Sequence, residues 1–229
     1  MSSEDADVDT EYDIMLRAGM ALEKTGDTNR DLLAALHCYQ RAAELEDDNW
    51  GDTPGDARYR AARLRQQLAT SDEDRAWAKR YFRKAAELGH MKARLEAAKL
   101  MIQSRDGYEY SQYKYRGQWE RENEEYDAQF AEGVALLEKV AGQSNSDAED
   151  RIKALSILAE IYEDERIRCR SQFEPIGDRE RLECALEYYR TLSQLDVNAD
   201  DQARHYYRDS IVRIQSMLNA LPENAEDSE

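Results

Sequence analysis

The chain has 229 residues, 41% of them hydrophobic and 35% charged, with a net charge of −17 and three cysteines. No apolar run approaches the roughly 20 residues of a membrane span, and three prolines with ten glycines suit helices better than a sandwich or barrel. Cys38, Cys169 and Cys184 are odd in number and lack CxxC spacing, which disfavours a disulfide framework or a zinc site.

The opening MSSEDADVDTEYD carries six carboxylates and no Lys or Arg, where a signal peptide needs basic and then apolar residues. This predicts a cytoplasmic protein with an acidic disordered tail at 1–11 and a second tail at 222–229. Without those ends the body is only mildly acidic. Direct binding to nucleic acid is disfavoured, because it requires Lys and Arg to neutralise phosphates.

From residue 12 onward the chain alternates two helix patterns. The leading pattern is A-x3-small/L-A/G-x2-large: IMLRAGMAL (14–22), ARYRAARLR (57–65), ARLEAAKLM (93–101) and ALSILAEIY (154–162). A fifth copy, ADDQARHYY, opens a closing helix over about 199–220; Arg65 and Arg204 break the pattern. The trailing pattern is A-x3-aromatic-x2-A-A-E-L in ALHCYQRAAELED (35–47) and AKRYFRKAAELGH (78–90). Weaker copies are AEGVALLEKVAGQ (131–143) and ALEYYRTLSQLD (185–196). Their anchors are Tyr39, Phe82, Leu137 and Tyr189, each on one apolar helix face. Ala pairs let neighbouring helices approach closely while the aromatic fills the space beside them. Punctuation agrees: TGDTN (25–29) is a turn with a cap, NWGDTPGD (49–56) is a Gly/Pro loop, and Ser71 caps a first turn rich in Asp and Glu. SNSDAED (144–150) and PIGDRE (175–180) open later helices in the same way.

AKRYFRKAAELGH, through Ala78, Phe82, Ala85, Ala86, Gly89 and His90, resembles the Sel1-like branch of the tetratricopeptide repeat superfamily. The 36-residue step from Ala57 to Ala93 is also a family period. The family's Leu-Gly in the leading helix is replaced at Ala61-Ala62, Ala97-Ala98 and Leu158-Ala159; only Ala18-Gly19 keeps the glycine. The resemblance implies an all-α fold over 12–221: a right-handed α-solenoid of about four helix-hairpin repeats plus a C-terminal closing helix. It further implies an adaptor or scaffold that holds a protein or peptide partner. Some bacterial members are immunity proteins that neutralise toxins, so an inhibitor that occludes a toxin or enzyme stands as the alternative.

The step between the third and fourth leading helices, from 93 to 154, is the longest. The surplus falls in an insertion at 105–124 containing DGYEYSQYKYRGQW (106–119). The two-residue spacing of Tyr108 with Tyr110 and of Tyr113 with Tyr115 predicts extended chain or a small hairpin between Gly107 and Gly117. With Trp119, these tyrosines either form a partner-binding loop or fold back as padding. A lesser insertion covers 164–178. A homodimer through the tyrosine-rich insertion also stays open.

In the superfamily the leading helices line the inner groove. The resemblance places there Tyr59, Arg63 and Gln66, then Lys92, Leu95, Lys99 and Ile102, then Lys153, Ser156, Glu160 and Glu163. Arg63, Lys92 and Lys99 then make a basic stretch for an acidic segment of a partner, or are ordinary solvated helix faces. No P-loop, GxGxxG, HExxH or GxSxG is present. His37, His90 and His205 fall in different repeats, and His90 sits at the family's own repeat position. These features predict no enzyme activity, no cofactor and no metal.

Overall fold

A computed structural model of the chain describes residues 10–26, 28–46, 54–106, 116–143, 147–163, 169–171, 174–175, 178–195 and 200–221. Among these, the helices are α1 (Glu11–Thr25), α2 (Asn29–Leu45), α3 (Asp56–Gln67), α4 (Asp72–Glu87), α5 (Met91–Asp106), α6 (Arg116–Gly142), α7 (Ala148–Glu163), α8 (Asp178–Leu195) and α9 (Asp201–Ala220). A short antiparallel pair, β1 (Cys169–Ser171) with β2 (Glu174–Pro175), lies before α8. The fold is an all-α helical repeat, and the anchor residues of each leading and trailing pattern that are described lie on a helix of their own. The chain forms two compact units, Met1–Ala97 and Ala98–Glu229.

Local chemistry sets the helix ends. Thr10 and Asp13 form a capping box on α1, and the side chains of Thr28, Ser71 and Asp200 accept from backbone N–H groups in the first turns of α2, α4 and α9. Each such cap stabilises its helix by about 1 kcal/mol. The α4 terminus has a different ending. Gly89 sits at φ 99°, its N–H donates to Ala86 O at 3.1 Å, and the N–H of His90 donates to Ala85 O at 3.0 Å. This Schellman pattern needs a left-handed residue, which explains the glycine of the AAELGH stretch.

His90 then serves the next helix. Its Nδ1 accepts from the N–H of Ala93 at 3.2 Å, which leaves the ring proton on Nε2, 3.6 Å from Asp56. The ring stacks on Tyr59 at 4.4 Å. His90 is therefore a joint between α3 and the start of α5.

Within the first unit α1 packs on α2, α2 on α3 and α3 on α4; within the second, α6 packs on α7, α7 on α8 and α8 on α9. The trailing-helix anchors Tyr39, Phe82, Leu137 and Tyr189 are buried, as are Ala42, Ala43, Ala85 and Ala86. Small residues on the leading helices, among them Ala57, Ala61, Ala62, Ala97, Ala98, Ala154 and Ala159, are buried as well. Close approach is clearest at Gly19, where a Cβ would stand 2.6 Å from Tyr39 Cε1. Gly133 of α6 plays a similar part against the α5 segment of the second unit, where a Cβ would come 3.1 Å from Met101 Cβ.

A recurring arginine ties hairpin to hairpin. Arg58 donates to Glu46 O at 2.7 Å, Arg94 to Ala86 O at 3.4 Å and Arg151 to Ala141 O at 2.8 Å. In each case the leading helix neutralises a carbonyl at the end of the helix before it, where the dipole favours a cation. Buried Arg181 of α8 does the same for α7 through Tyr162 O and Glu163 O. The Glu46 side chain is wholly buried; it takes Arg58 at 2.8 Å and the N–H of Ala57 at 3.3 Å. Burial nevertheless raises its pKa above the usual carboxylate range, against the pull of Arg58 and the backbone donors.

The structure narrows the insertion. Helix α5 runs to Asp106 and α6 begins at Arg116, so Gly117, Trp119 and the residues up to 124 belong to a helix rather than to an inter-helix stretch. The helical composition from Glu120 to Glu125 outweighs the turn tendency of Gly117. Tyr108, Tyr110, Tyr113 and Tyr115 lie outside the described residues, as do both predicted tails apart from Thr10 and Glu11.

Candidate functional site

Two tyrosines at matching repeat positions organise the polar chemistry of the two units. In the first, Tyr39 of α2 donates its hydroxyl to Glu23 Oε2 at 2.8 Å. Glu23 sits near the end of α1, and its other oxygen is paired with Arg63 of α3. In the second, Tyr189 of α8 donates to Glu163 Oε2 at 2.8 Å, and Arg213 of α9 donates its Nε to Glu163 Oε1 at 2.6 Å. Each unit thus joins three successive helices through Tyr, Glu and Arg. Glu23 and Glu163 occupy the same place, nine residues after the start of their patterns at 14 and 154. Burial is the main cause of the raised pKa of both phenols; at Tyr189 the hydrogen bonds with Tyr206 and Glu163 add to it.

What covers the two rings differs. Over Tyr39 lies the guanidinium of Arg60, 5.9 Å from the ring centroid. Asp56, the first residue of α3, holds that guanidinium at 2.8 Å. Burial pushes the Asp56 carboxyl up, but its bonds to His90 and Arg60 outweigh this and leave its pKa below the ordinary value. Over Tyr189 lies Tyr206 of α9, edge to face at 5.9 Å, with the two hydroxyls 3.2 Å apart. Beside this pair opens a hollow of about 390 Å³ between α7, α8 and α9, lined by Ser156, Glu160, Tyr189, Leu192, Asp200, Gln202, Ala203, Tyr206 and Tyr207.

The residues expected in the groove divide accordingly. Tyr59 is half-buried and stacked on His90 rather than open to a partner. Arg63 is exposed but bound to Glu23, and Lys92 is exposed on the α5 segment of the first unit. Lys99 is half-buried in the second unit. Leu95 and Ile102, read as groove-lining, are 2% and 5% exposed. They stand three and four residues from buried Ala98 and share its face of α5, so they belong to the core. Glu163 faces Tyr189 and Arg213 instead of open solvent; its side chain is 10% exposed. Lys153 pairs with Glu149 on its own helix at 2.5 Å. Ser156 and Glu160 do line the hollow. The sequence reading missed Tyr206, Asp200 and Gln202, because the closing helix departs from the repeat pattern where the groove assignment stopped.

Arg65, which breaks the leading pattern, replaces a large apolar side chain by lying 5.5 Å from the Trp77 ring centroid and pairing with Asp74 at 2.8 Å. Among the described residues, neither Cys38 nor Cys184 is in a disulfide, no three His, Cys, Asp or Glu side chains gather as a metal site would require, and no helix is long and apolar enough to cross a membrane.

No protein-family model matches the chain, and no curated protein matches it. Among solved structures, the crystal structure of a de novo designed helical repeat protein aligns with 91% of this chain and 94% of its own, at 14% identity and a TM-score of 0.25.

Proposed function

We propose that the chain is a non-enzymatic protein-interaction scaffold. The observation that carries this reading is the tyrosine-lined hollow between α7, α8 and α9, where Tyr206 stays 44% exposed at the rim. A half-exposed tyrosine on a rigid helix beside a concavity suits partner binding, because little side-chain entropy remains to be lost. The Sel1-like character of Ala78–His90 supports the same reading. The tyrosine-rich stretch 106–119 and the basic positions Arg63, Lys92 and Lys99 are proposed as further contact surfaces.

The test is to isolate a partner by affinity capture from the native host, purify it, and titrate it calorimetrically against the chain. A saturable complex weakened about tenfold or more by Tyr206→Ala is expected, the range of an interface hot spot. A purified wild-type chain that binds none of the captured proteins, or a complex indifferent to Tyr206→Ala, overturns the proposal. Replacing 106–119 with a Gly/Ser loop assigns the share of the tyrosine-rich stretch.

A further inference from the structure

The trailing helices α4 and α8 each turn one face to solvent, opposite the side chains that hold them in their units. On α4 that face carries Arg80, Lys84 and Glu87, across the helix from buried Ala78, Phe82 and Ala85. On α8 it carries Glu183, Glu187 and Arg190, across from buried Ala185, Tyr189 and Leu192. All six are exposed. On both helices they stand four and then three residues apart, so each set forms one stripe along two turns.

From N- to C-terminus the signs are plus, plus, minus on α4 and minus, minus, plus on α8. Laid side by side in the same direction, the stripes set Arg80 against Glu183, Lys84 against Glu187 and Glu87 against Arg190. Reversing one helix would instead face Arg80 with Arg190 and Glu87 with Glu183. The pattern therefore selects both the partner stripe and its direction.

Each stripe alone is unfavourable to its own helix. Like charges four residues apart repel along a helix, and Arg80 with Lys84 and Glu183 with Glu187 are such pairs. Among the described residues no ion pair offsets either of them. Glu87 has Arg83 at 3.5 Å, in an exposed contact that a second cation can share.

We propose that two copies of the chain associate through these stripes, α4 of one copy lying parallel to α8 of the other. The occupant is a second copy because the complement of each stripe, in sign, spacing and direction, is on this chain. Self-association of this kind is independent of the scaffold reading. Exposed ion pairs are individually weak, so the contact is reversible and depends on concentration.

Sedimentation velocity of the full chain at about 0.1 M ionic strength tests it. There a screening length of about 10 Å damps the repulsion between two chains of net charge −17 and leaves close pairs intact. The average mass is expected to rise above that of one chain as the protein is concentrated, and to return to it in about 1 M salt. Two triple variants make the decisive comparison. Arg80→Glu/Lys84→Glu/Glu87→Arg reverses the first stripe, and Glu183→Arg/Glu187→Lys/Arg190→Glu reverses the second. Each alone should weaken self-association about tenfold or more, because like charges then face one another at every pair. Mixing the two variants should restore association, since each stripe again meets its complement, and so should one chain carrying both sets of changes. Circular dichroism confirms that each variant is folded; the two lie on different helices, so either one tests the loss if the other does not fold. A wild-type chain that keeps the mass of one copy at every concentration, association that survives either reversal, or folded variants that do not recombine overturns the proposal.

Discussion

Tyr39 and Tyr189 stand at matching repeat positions, are equally buried, and are held by the same three-part contact. Each donates to a glutamate at the end of the preceding leading helix, and an arginine from the following one completes the link. The difference lies above the rings. In the first unit Arg60 covers the tyrosine, whereas in the second Tyr206 takes part of that space and leaves a hollow. The core of a repeat tolerates few solutions, because each unit buries its face only against its neighbours. The positions around that core are free to be self-satisfied in one repeat and left open in another. On the scaffold reading proposed above, such an open position is where a partner would seat.

The most severe way to break this comparison is to delete the anchors. Tyr39→Ala and Tyr189→Ala should each cost about 3–5 kcal/mol, the range for removing a large buried aromatic. Chemical denaturation followed by circular dichroism measures both. If the two sites are equivalent, the losses agree within about 1 kcal/mol, in line with the context dependence of such measurements; a much smaller loss at Tyr189 would mean that the second unit does not rely on its anchor.

A subtler change separates the units. Gly19 and Ala159 are aligned, but Tyr39 approaches Gly19 so closely that a Cβ would stand 2.6 Å from its ring. Gly19→Ala should therefore destabilise by about 1–3 kcal/mol through overpacking, although Ala favours a helix over Gly by about 1 kcal/mol. Ala159→Gly should cost about 1 kcal/mol from propensity. Thermal unfolding of the two variants tests the sign: a stabilised Gly19→Ala protein would place Tyr39 farther from α1 than described.

The charge over Tyr39 predicts a pH dependence. Asp56 has a pKa lowered below its ordinary 3.8, so its contribution is fully present above that value and is lost as pH falls through the folded-state pKa. Asp56→Asn should cost about 1.5 kcal/mol at neutral pH, the scale of a charge-assisted bond lost. The gap to wild type should hold from pH 7 to about 5 and close below 3.8. Denaturant titrations across that range decide it, and a gap independent of pH would remove Asp56 as the source.

Much of this architecture is legible in the sequence because it rests on spacing. The A-x3-aromatic-x2-A-A pattern placed Tyr39 and Phe82 in the core, and small residues at fixed intervals marked the helices they meet. Ser71 with its acidic first turn and Gly89 before His90 carried their cap chemistry openly. The site was harder to read. Glu23 and Glu163 share a position, but the same place holds Gln66 in α3 and Ile102 in α5, so the contact is not a property of every repeat. Arg63 and Arg213 reach their glutamates from different turns of their helices, which no fixed spacing would reveal. Leu95 and Ile102 were misplaced because a groove face and a core face are only a fraction of a turn apart on a helix flanked on both sides.

The last and smallest test isolates the three-part contact itself. Tyr39→Phe and Tyr189→Phe remove only a hydroxyl and leave the ring in place, so each should cost about 0.5–1.5 kcal/mol. At Tyr189 the loss also frees the Tyr206 hydroxyl to turn, whereas Tyr39 has no tyrosine neighbour of that kind among its described contacts. Combining Tyr189→Phe with Arg213→Ala in a double-mutant cycle measures their coupling through Glu163. A coupling near zero would make Glu163 a passive acceptor. A coupling of about 0.5 kcal/mol or more would mean that the arginine and the tyrosine stabilise one carboxylate jointly, tying α7, α8 and α9 into the rigid wall that the hollow requires.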